Sequence, residues 1–446
     1  MDTRRALITL LGLTLVSRAS AAQSAEPTQS SPESIRSANA HPRAEADLAT
    51  PPAATPVATP VATPAHDVTP PPASTALPIP VQFYGTLWTS ATLSTAVESF
   101  TYPNSTAITA AANPAVFSQP NDLFLSFQVQ QSRVGVRIGD RWPVRGQLEI
   151  DFIHFDLSSP TVQAYPRVRI AEVAWLPNEH HSVSLGQGWD LFSPLNAHTA
   201  NLVGNYFAAG NSGFMRHQLR WVGSFGALEL AAAIGMPGAN AGPTFANFET
   251  GALPTGALRV SYRRPKLWFG ASFVGTAARF ATITASERRE ALGANVFIEA
   301  SAGPVEVRAE GYFGDNLASL GALTLAAGRY GQSVSEMGGW ASIKVTAGMH
   351  QLYANLGAAA VLDPAGLALG YTPATMTAAA TRTPAAGPGI LSNFSARMGY
   401  QVNPWRGLAV AIEPFVYRTV HKLDDTSVVS GERIALGATL AAMLTF

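Results

Sequence analysis

Either side of a turn at 139–142, the charged side chains between residues 133 and 151 keep to one set of alternate positions. Arg133 and Arg137 come first, then Arg145, Glu149 and Asp151, with Val144, Gly146, Leu148, Ile150 and Phe152 between them. A period of two puts neighbouring side chains on opposite faces of a β-strand, so one face here suits water and the other an apolar solvent. The pattern returns in Arg167 and Arg169, in Arg216, Gln218 and Arg220, and in Glu306, Arg308 and Glu310. Glu172 falls out of phase with Arg169, which points to a bulge or an interfacial position there. A row of water-facing guanidiniums attracts carboxylates and favours anions in transit. These rows also carry acids, so mutual neutralisation in a polar lumen is the other reading. Residues 81–446 hold 24 basic and 23 acidic side chains.

Other chemistries find less support. There is no cysteine, which excludes disulfides, thiolate catalysis and iron–sulfur ligation. Neither a Gly-x-Ser-x-Gly elbow nor a His-Glu-x-x-His motif occurs. Glu179-His180-His181 supplies adjacent metal-type ligands without a third partner and sits in an expected turn, so no metal site is expected. Gly186-Gln187-Gly188 lacks a phosphate-loop continuation. His198 and Ser212 share a loop without an orienting acid. No catalytic residue and no cofactor are expected. With 29 basic and 29 acidic residues the chain is neutral, which gives no case for a nucleic-acid partner.

The elements that position the charged rows are strands. Sixteen period-two segments start near 81, 123, 143, 166, 181, 214, 227, 255, 267, 291, 304, 338, 350, 391, 408 and 433. The links between them alternate in length. Seven are short and carry turn residues: 139–142, 177–180, 223–226, 263–266, 302–303, 346–349 and 403–407. The eight others, about 94–121, 156–165, 192–213, 237–254, 277–290, 314–337, 362–390 and 421–432, are longer. Short turns at one end and long loops at the other, with an even strand number, are the pattern of an outer-membrane β-barrel. The expected fold is all-β, a transmembrane antiparallel barrel of about sixteen strands. The third long loop, 192–213, is a candidate constriction by analogy with sixteen-stranded porins, with Asn196, His198, Asn201 and Asn205 as lining candidates.

The two ends agree. Arg4 and Arg5, the apolar run Ala6–Val16 and the small residues Ala19-Ser20-Ala21 read as a signal peptide over 1–21, so export to the bacterial outer membrane is expected. Residues 22–78 repeat Ala-Thr-Pro-Val and carry few large side chains, which suits a disordered periplasmic tether, leaving 79–446 for the barrel. Residues 433–446 alternate and stop on Phe446, an ending that resembles the signal read by the barrel-assembly machinery. Only 13% of residues are charged, against about 25% in ordinary soluble domains. A strand that gives half its residues to lipid accounts for that deficit.

An ordered series of motifs resembles the DcaP-like porins of Gram-negative bacteria. It runs Gln131-Ser132-Arg133-Val134-Gly135, Gly146-Gln147-Leu148-Glu149-Ile150-Asp151-Phe152, Arg167-Val168-Arg169-Ile170-Ala171, Gly186-Gln187-Gly188-Trp189-Asp190-Leu191-Phe192 and Arg216-His217-Gln218-Leu219-Arg220-Trp221. The resemblance implies a homotrimeric sixteen-stranded channel that takes up small anions such as dicarboxylates, with Arg133, Arg167, Arg169, Arg216 and Arg220 at matching positions. The expected function is passive diffusion of small polar or anionic solutes through an arginine-lined pore in outer-membrane lipid. Two other readings stay open: a structural anchor or adhesin barrel with a plugged lumen, and a barrel hydrolase.

Overall fold

The computed structural model describes residues 79–95, 123–140, 142–153, 166–201, 206, 208–213, 215–236, 254–281, 286–320, 333–364, 390–422 and 430–446. The expected signal peptide (1–21), the expected tether (22–78), most of the long loops and Asn205 lie outside the described residues.

Seventeen strand segments form one antiparallel sheet. They are β1 (Val81–Ser94), β2 (Phe124–Gln128), β3 (Arg133–Ile138), β4 (Val144–Asp151), β5 (Arg167–Asn178), β6 (His181–Trp189), β7 (Met215–Phe225), β8 (Leu228–Gly235) and β9 (Thr255–Arg264). Then come β10 (Leu267–Ala281), β11 (Ser286–Ala302), β12 (Val305–Asp315), β13 (Ser335–Ala347), β14 (His350–Val361), β15 (Ile390–Trp405), β16 (Leu408–Lys422) and β17 (Ser430–Thr445). β2 and β3 are two halves of one stave, because the upper part of β1 pairs with β2 and the lower part with β3. The barrel therefore has sixteen staves. It closes where β1 meets β17, from Thr86 opposite Thr445 to Ser94 opposite Gly437. Gly85 and Phe446 then exchange both backbone hydrogen bonds at 3.1 Å.

Closure leaves neither β1 nor β17 as a free edge, which is what lipid demands of a spanning sheet. The outward face is apolar. Leu87, Leu125, Leu148, Val173, Leu185, Leu258, Val296, Leu352 and Leu440 are all exposed there. Aromatic side chains gather towards the short-turn end (Phe83, Trp175, Phe225, Tyr262, Tyr400, Trp405), and Phe127, Phe313 and Phe394 lie towards the other. Two such girdles mark the two interfaces of a membrane-spanning barrel. Among the described residues no helix is long and apolar enough to cross a membrane.

The expected strand starts agree with the structure to within three residues, save at β11, which begins at Ser286 rather than near 291. Five of the seven short turns hold a glycine at positive φ, at Gly139, Gly226, Gly303, Gly348 and Gly407. The expected second strand is not continuous. It breaks at Val129–Ser132, where Ser132 N donates to Val129 O at 3.0 Å. The Ser132 hydroxyl patches the gap, accepting from Trp88 N at 2.9 Å and donating to Trp88 O at 3.0 Å. The phase change before Glu172 is a bulge: Val168 faces Ile150 and Ile170 faces Glu149, leaving Arg169 as the extra residue.

The seam yields a prediction. Phe446→Ala removes the ring packed over Gly85, and deletion of Thr445 and Phe446 also removes the last seam hydrogen bonds. The fraction of folded, heat-modifiable barrel on unheated gels should fall several-fold for the substitution and almost entirely for the deletion.

Candidate pore and constriction loop

The chain leaves β6 at Asp190 and turns into the barrel. Residues 191–201 then follow the inner wall from β10 to β1. Asn295 Nδ2 donates to Phe192 O at 2.6 Å, and the Ser272 hydroxyl donates to the same oxygen at 2.5 Å. Leu195 N donates to Glu310 Oε1 at 2.7 Å, and the Ser193 hydroxyl donates to the other oxygen of that carboxylate. Asn355 Nδ2 donates to His198 O at 2.6 Å. Thr199 Oγ1 and Ala200 N donate to the two oxygens of Glu413 at 2.8 and 3.1 Å. Trp88 Nε1 donates to Ala200 O at 2.8 Å, and Gln131 Nε2 to Asn201 Oδ1 at 2.8 Å. Eleven residues reach up to about 35 Å when extended, enough to span much of a barrel interior.

An extended segment has no ladder of its own, so the wall must supply its hydrogen-bond partners. The residues that do so stand one per strand on the inward face: Ser272, Asn295, Glu310, Asn355, Glu413 and Thr439. The return of the loop docks through close backbone approach. Gly210 has φ +119°, and a Cβ there would strike the backbone of Gly339 on β13. At the entry, Leu191 and Phe192 pack with Ala231, Val274, Tyr312, Leu317 and Leu320.

The sequence candidates fall in three places. Asn196 O accepts from Arg308 Nη1 at 3.2 Å, and Asn196 Oδ1 accepts from Asn211 Nδ2 at 3.4 Å. His198 Nδ1 lies 2.7 Å from Ser342 Oγ, and its Nε2 lies 2.9 Å from Glu306 Oε1. Asn201 is buried and held by Gln131. Glu306 also faces Lys344 at 2.7 Å and Arg308 at 2.6 Å. Arg216 is buried, with Nε 3.3 Å from Asp190 Oδ2 and Nη1 donating to Leu320 O, so it fastens the loop entry and faces little solvent.

The remaining arginines share the wall that the loop leaves uncovered. Arg167 grips Asp151 through Nε at 2.9 Å and Nη2 at 2.5 Å. Arg169 is bonded to Glu149, stands 3.8 Å from Asp151 and lies 5.2 Å over the Trp189 ring. Arg133 is more open, 41% exposed and 4.0 Å from Glu149. Arg137 lies 4.5 Å over the Tyr84 ring, and Arg145 Nε donates to Trp142 O at 3.3 Å. Arg220 holds both oxygens of Glu172 at 2.8 and 2.7 Å. β6 runs between those two partners, and Gly188 makes the bridge possible: a Cβ there would lie 2.7 Å from the Glu172 carboxylate. Gln187 Nε2 donates to Val168 O and Arg169 O at 2.8 and 3.0 Å, the carbonyls at the bulge. The Gly186-Gln187-Gly188 motif thus serves the wall.

Among the described residues, the inward faces of β3–β9 carry nine arginines (133, 137, 145, 167, 169, 216, 220, 259 and 263) against four carboxylates (149, 151, 172 and 229). Those of β10–β17 carry five carboxylates (299, 306, 310, 336 and 413) against Arg308, Lys344 and Arg397. Sequence reasoning did not single out Glu413, Arg259 or Arg263. Glu413 stands alone between apolar neighbours, and its loop partners lie more than 200 positions away.

These features define a class: a sixteen-stave membrane barrel narrowed by an inward third loop. The outer membrane channel DcaP of Acinetobacter baumannii is similar over 82% of this chain and 97% of its own, with a TM-score of 0.58 and 13% identity. OmpT of Vibrio cholerae in its trimer form is similar over 82% of this chain and 99% of its own, with a TM-score of 0.46 and 14% identity. No family model matches, and no curated protein matches. The likeness to DcaP is one of fold, and the chain has the DcaP-like porin architecture.

Two predictions follow from the loop contacts. Glu413→Ala leaves Ala200 N, the Thr199 hydroxyl and buried Arg397 without their shared acceptor, a local cost of about 3–5 kcal/mol. Single-channel current should become noisier and its mean conductance should rise. His198, in the loop, is lowered from its ordinary 6.5 to about 4, chiefly by burial, with Arg308 and Lys344 adding to the effect and Glu306 opposing it. The docked loop therefore holds its full stability above 6.5 and loses it as pH falls towards 4, because the undocked imidazole takes a proton that the docked one refuses. Loop noise should rise across that window, and His198→Gln should flatten the response.

Proposed function

We propose that this chain is a bacterial outer-membrane channel for passive diffusion of small polar solutes, with a preference for anions such as carboxylates. One observation carries the reading. Among the described residues, the loop covers the wall where carboxylates outnumber bases and, apart from Arg216 at its entry, leaves open the wall where eight arginines face four acids. A solute then passes between a neutral loop, which has no Asp or Glu from 191 to 213, and a basic wall. The field across that gap favours negative charge without a tight site, as a diffusion channel requires. Arg133, Arg137, Arg145, Arg167, Arg169 and Arg220, with Glu149 and Asp151 setting their positions, are the proposed lining. Arg308, Glu306, Glu310, Asn196, His198 and Asn201 form and hold the constriction, and Arg216 anchors it.

In this reading residues 1–21 direct export, 22–78 are a periplasmic tether, Phe446 is the assembly signal and the barrel acts as a homotrimer without a catalytic role. The similarity in fold to DcaP, an outer membrane channel, supports the setting. A plugged anchor is the second reading, favoured by the apolar cluster of Leu191, Phe192, Leu317 and Leu320 inside the barrel.

Planar-bilayer recording of purified protein separates the two, since an anchor shows no conductance steps. In a potassium chloride gradient the reversal potential should favour chloride. Arg167→Ala with Arg169→Ala strips two cations, leaving Asp151 without its ion-pair partners and Glu149 with Arg133 alone, 4.0 Å away. The chloride-to-potassium permeability ratio should drop about threefold or more. An unchanged ratio removes these two residues from the role.

A further inference from the structure

The tight turn between β9 and β10, Pro265–Lys266, carries a cluster that the constriction does not use. Arg263, at the end of β9, lays its guanidinium carbon 3.8 Å over the ring of Trp268 on β10. Phe297 on β11 meets the same indole edge-on at 4.9 Å and fixes its plane. Beside this stack is a cavity of about 440 Å³ lined by Arg263, Arg264, Lys266, Trp268, Glu299 and Ser301, among others. Its charged lining is three cations against one carboxylate.

Glu229 engages both arginines of β9 unequally. Arg259 Nη2 donates to Glu229 Oε1 at 2.9 Å, whereas Arg263 Nε stands 3.6 Å from Oε2. The Arg263 side chain remains 52% exposed. A guanidinium resting on an indole is held flat, so its in-plane N–H edge is ready for a carboxylate at little entropic cost. Its outer face is a second stacking surface. Trp268 Nε1, on a cavity-lining side chain, has no hydrogen-bond partner among the described residues.

We infer that this rim cavity is a subsite for aromatic carboxylates. The carboxylate takes the N–H edge of Arg263 and the charge of Lys266, and the ring stacks on the Arg263–Trp268 pair. This rests on the channel reading, in which short turns face the periplasm, so the subsite is the last one a solute meets on the way in. Its chemistry differs from that of the arginine wall above it, where Arg167 already forks onto Asp151 and Arg220 Nη2 already holds both oxygens of Glu172.

The test is single-channel recording in potassium chloride with phthalate or succinate added to one side and then the other. The two dianions have equal charge and differ in the ring. Phthalate should interrupt the current with dwell times about tenfold longer than succinate, and more often from one side. Arg263→Lys keeps the charge but not the flat fork, and Trp268→Ala removes the platform. Each should bring the phthalate dwell down to that of succinate. Equal dwell times for the two anions in the unaltered protein, or phthalate dwell times unchanged in both variants, overturn the subsite. Conductance steps in the same traces report the channel itself, so their absence sinks the channel reading, whereas steps with no ring-dependent block sink only this inference.

Discussion

Backbone closure is the constraint on which everything else in this barrel depends. A sheet in hydrocarbon has no water to satisfy an open edge, so the first and last strands must find each other across the whole chain. Here β1 meets β17 with more than 340 positions between partners. Once the seam fixes the register, alternation fixes which side chains face in. A slip of one residue would send Arg167, Glu149 and Glu413 to lipid, where charge is costly. The aromatic that ends the chain completes the last pair of the seam with Gly85.

Closure creates a second problem, which the third loop answers. Sixteen staves leave a wide interior, and an extended segment inside it needs acceptors and donors along its length. The inward faces of β10–β17 provide them at nearly one per strand, with Glu310 and Glu413 each receiving a backbone N–H and a hydroxyl of the loop. Two acidic side chains placed along the loop, each with two oxygens to offer, therefore hold a segment with no secondary structure of its own.

The strands were legible because their signal is local. Period two, with turn residues every ten to twenty positions, located all but one strand start to within three residues, and the phase of Glu172 located a bulge. The loop's inward course was legible only by analogy, since its partners are scattered from Trp88 to Thr439. The break at Val129–Ser132 was not legible, because a Ser hydroxyl that replaces a ladder bond looks like any polar residue in a strand. Arg216 illustrates the limit of face assignment. Alternation places it inward with Arg220, and only the tertiary structure puts Asp190 and the Leu320 carbonyl over it.

The neutral total charge of the chain conceals a separation that the loop enforces. Carboxylates inside the barrel are spent in two ways: some fix arginines on the open wall, and others fix the loop. Glu310 and Glu413 are covered by the backbone they hold, and Glu306 is ringed by Arg308, Lys344 and His198. Acids engaged in this way present little of their charge to the lumen. The arginines opposite are paired too, but Arg133, Arg137 and Arg145 have no bidentate carboxylate among the described contacts, and Arg263 rests on an indole. A chain with equal numbers of acids and bases can thus line its open passage with the bases. In the proposed channel, fixing the loop and biasing the pore are one physical act: each acid that anchors the loop is an acid withdrawn from the lumen.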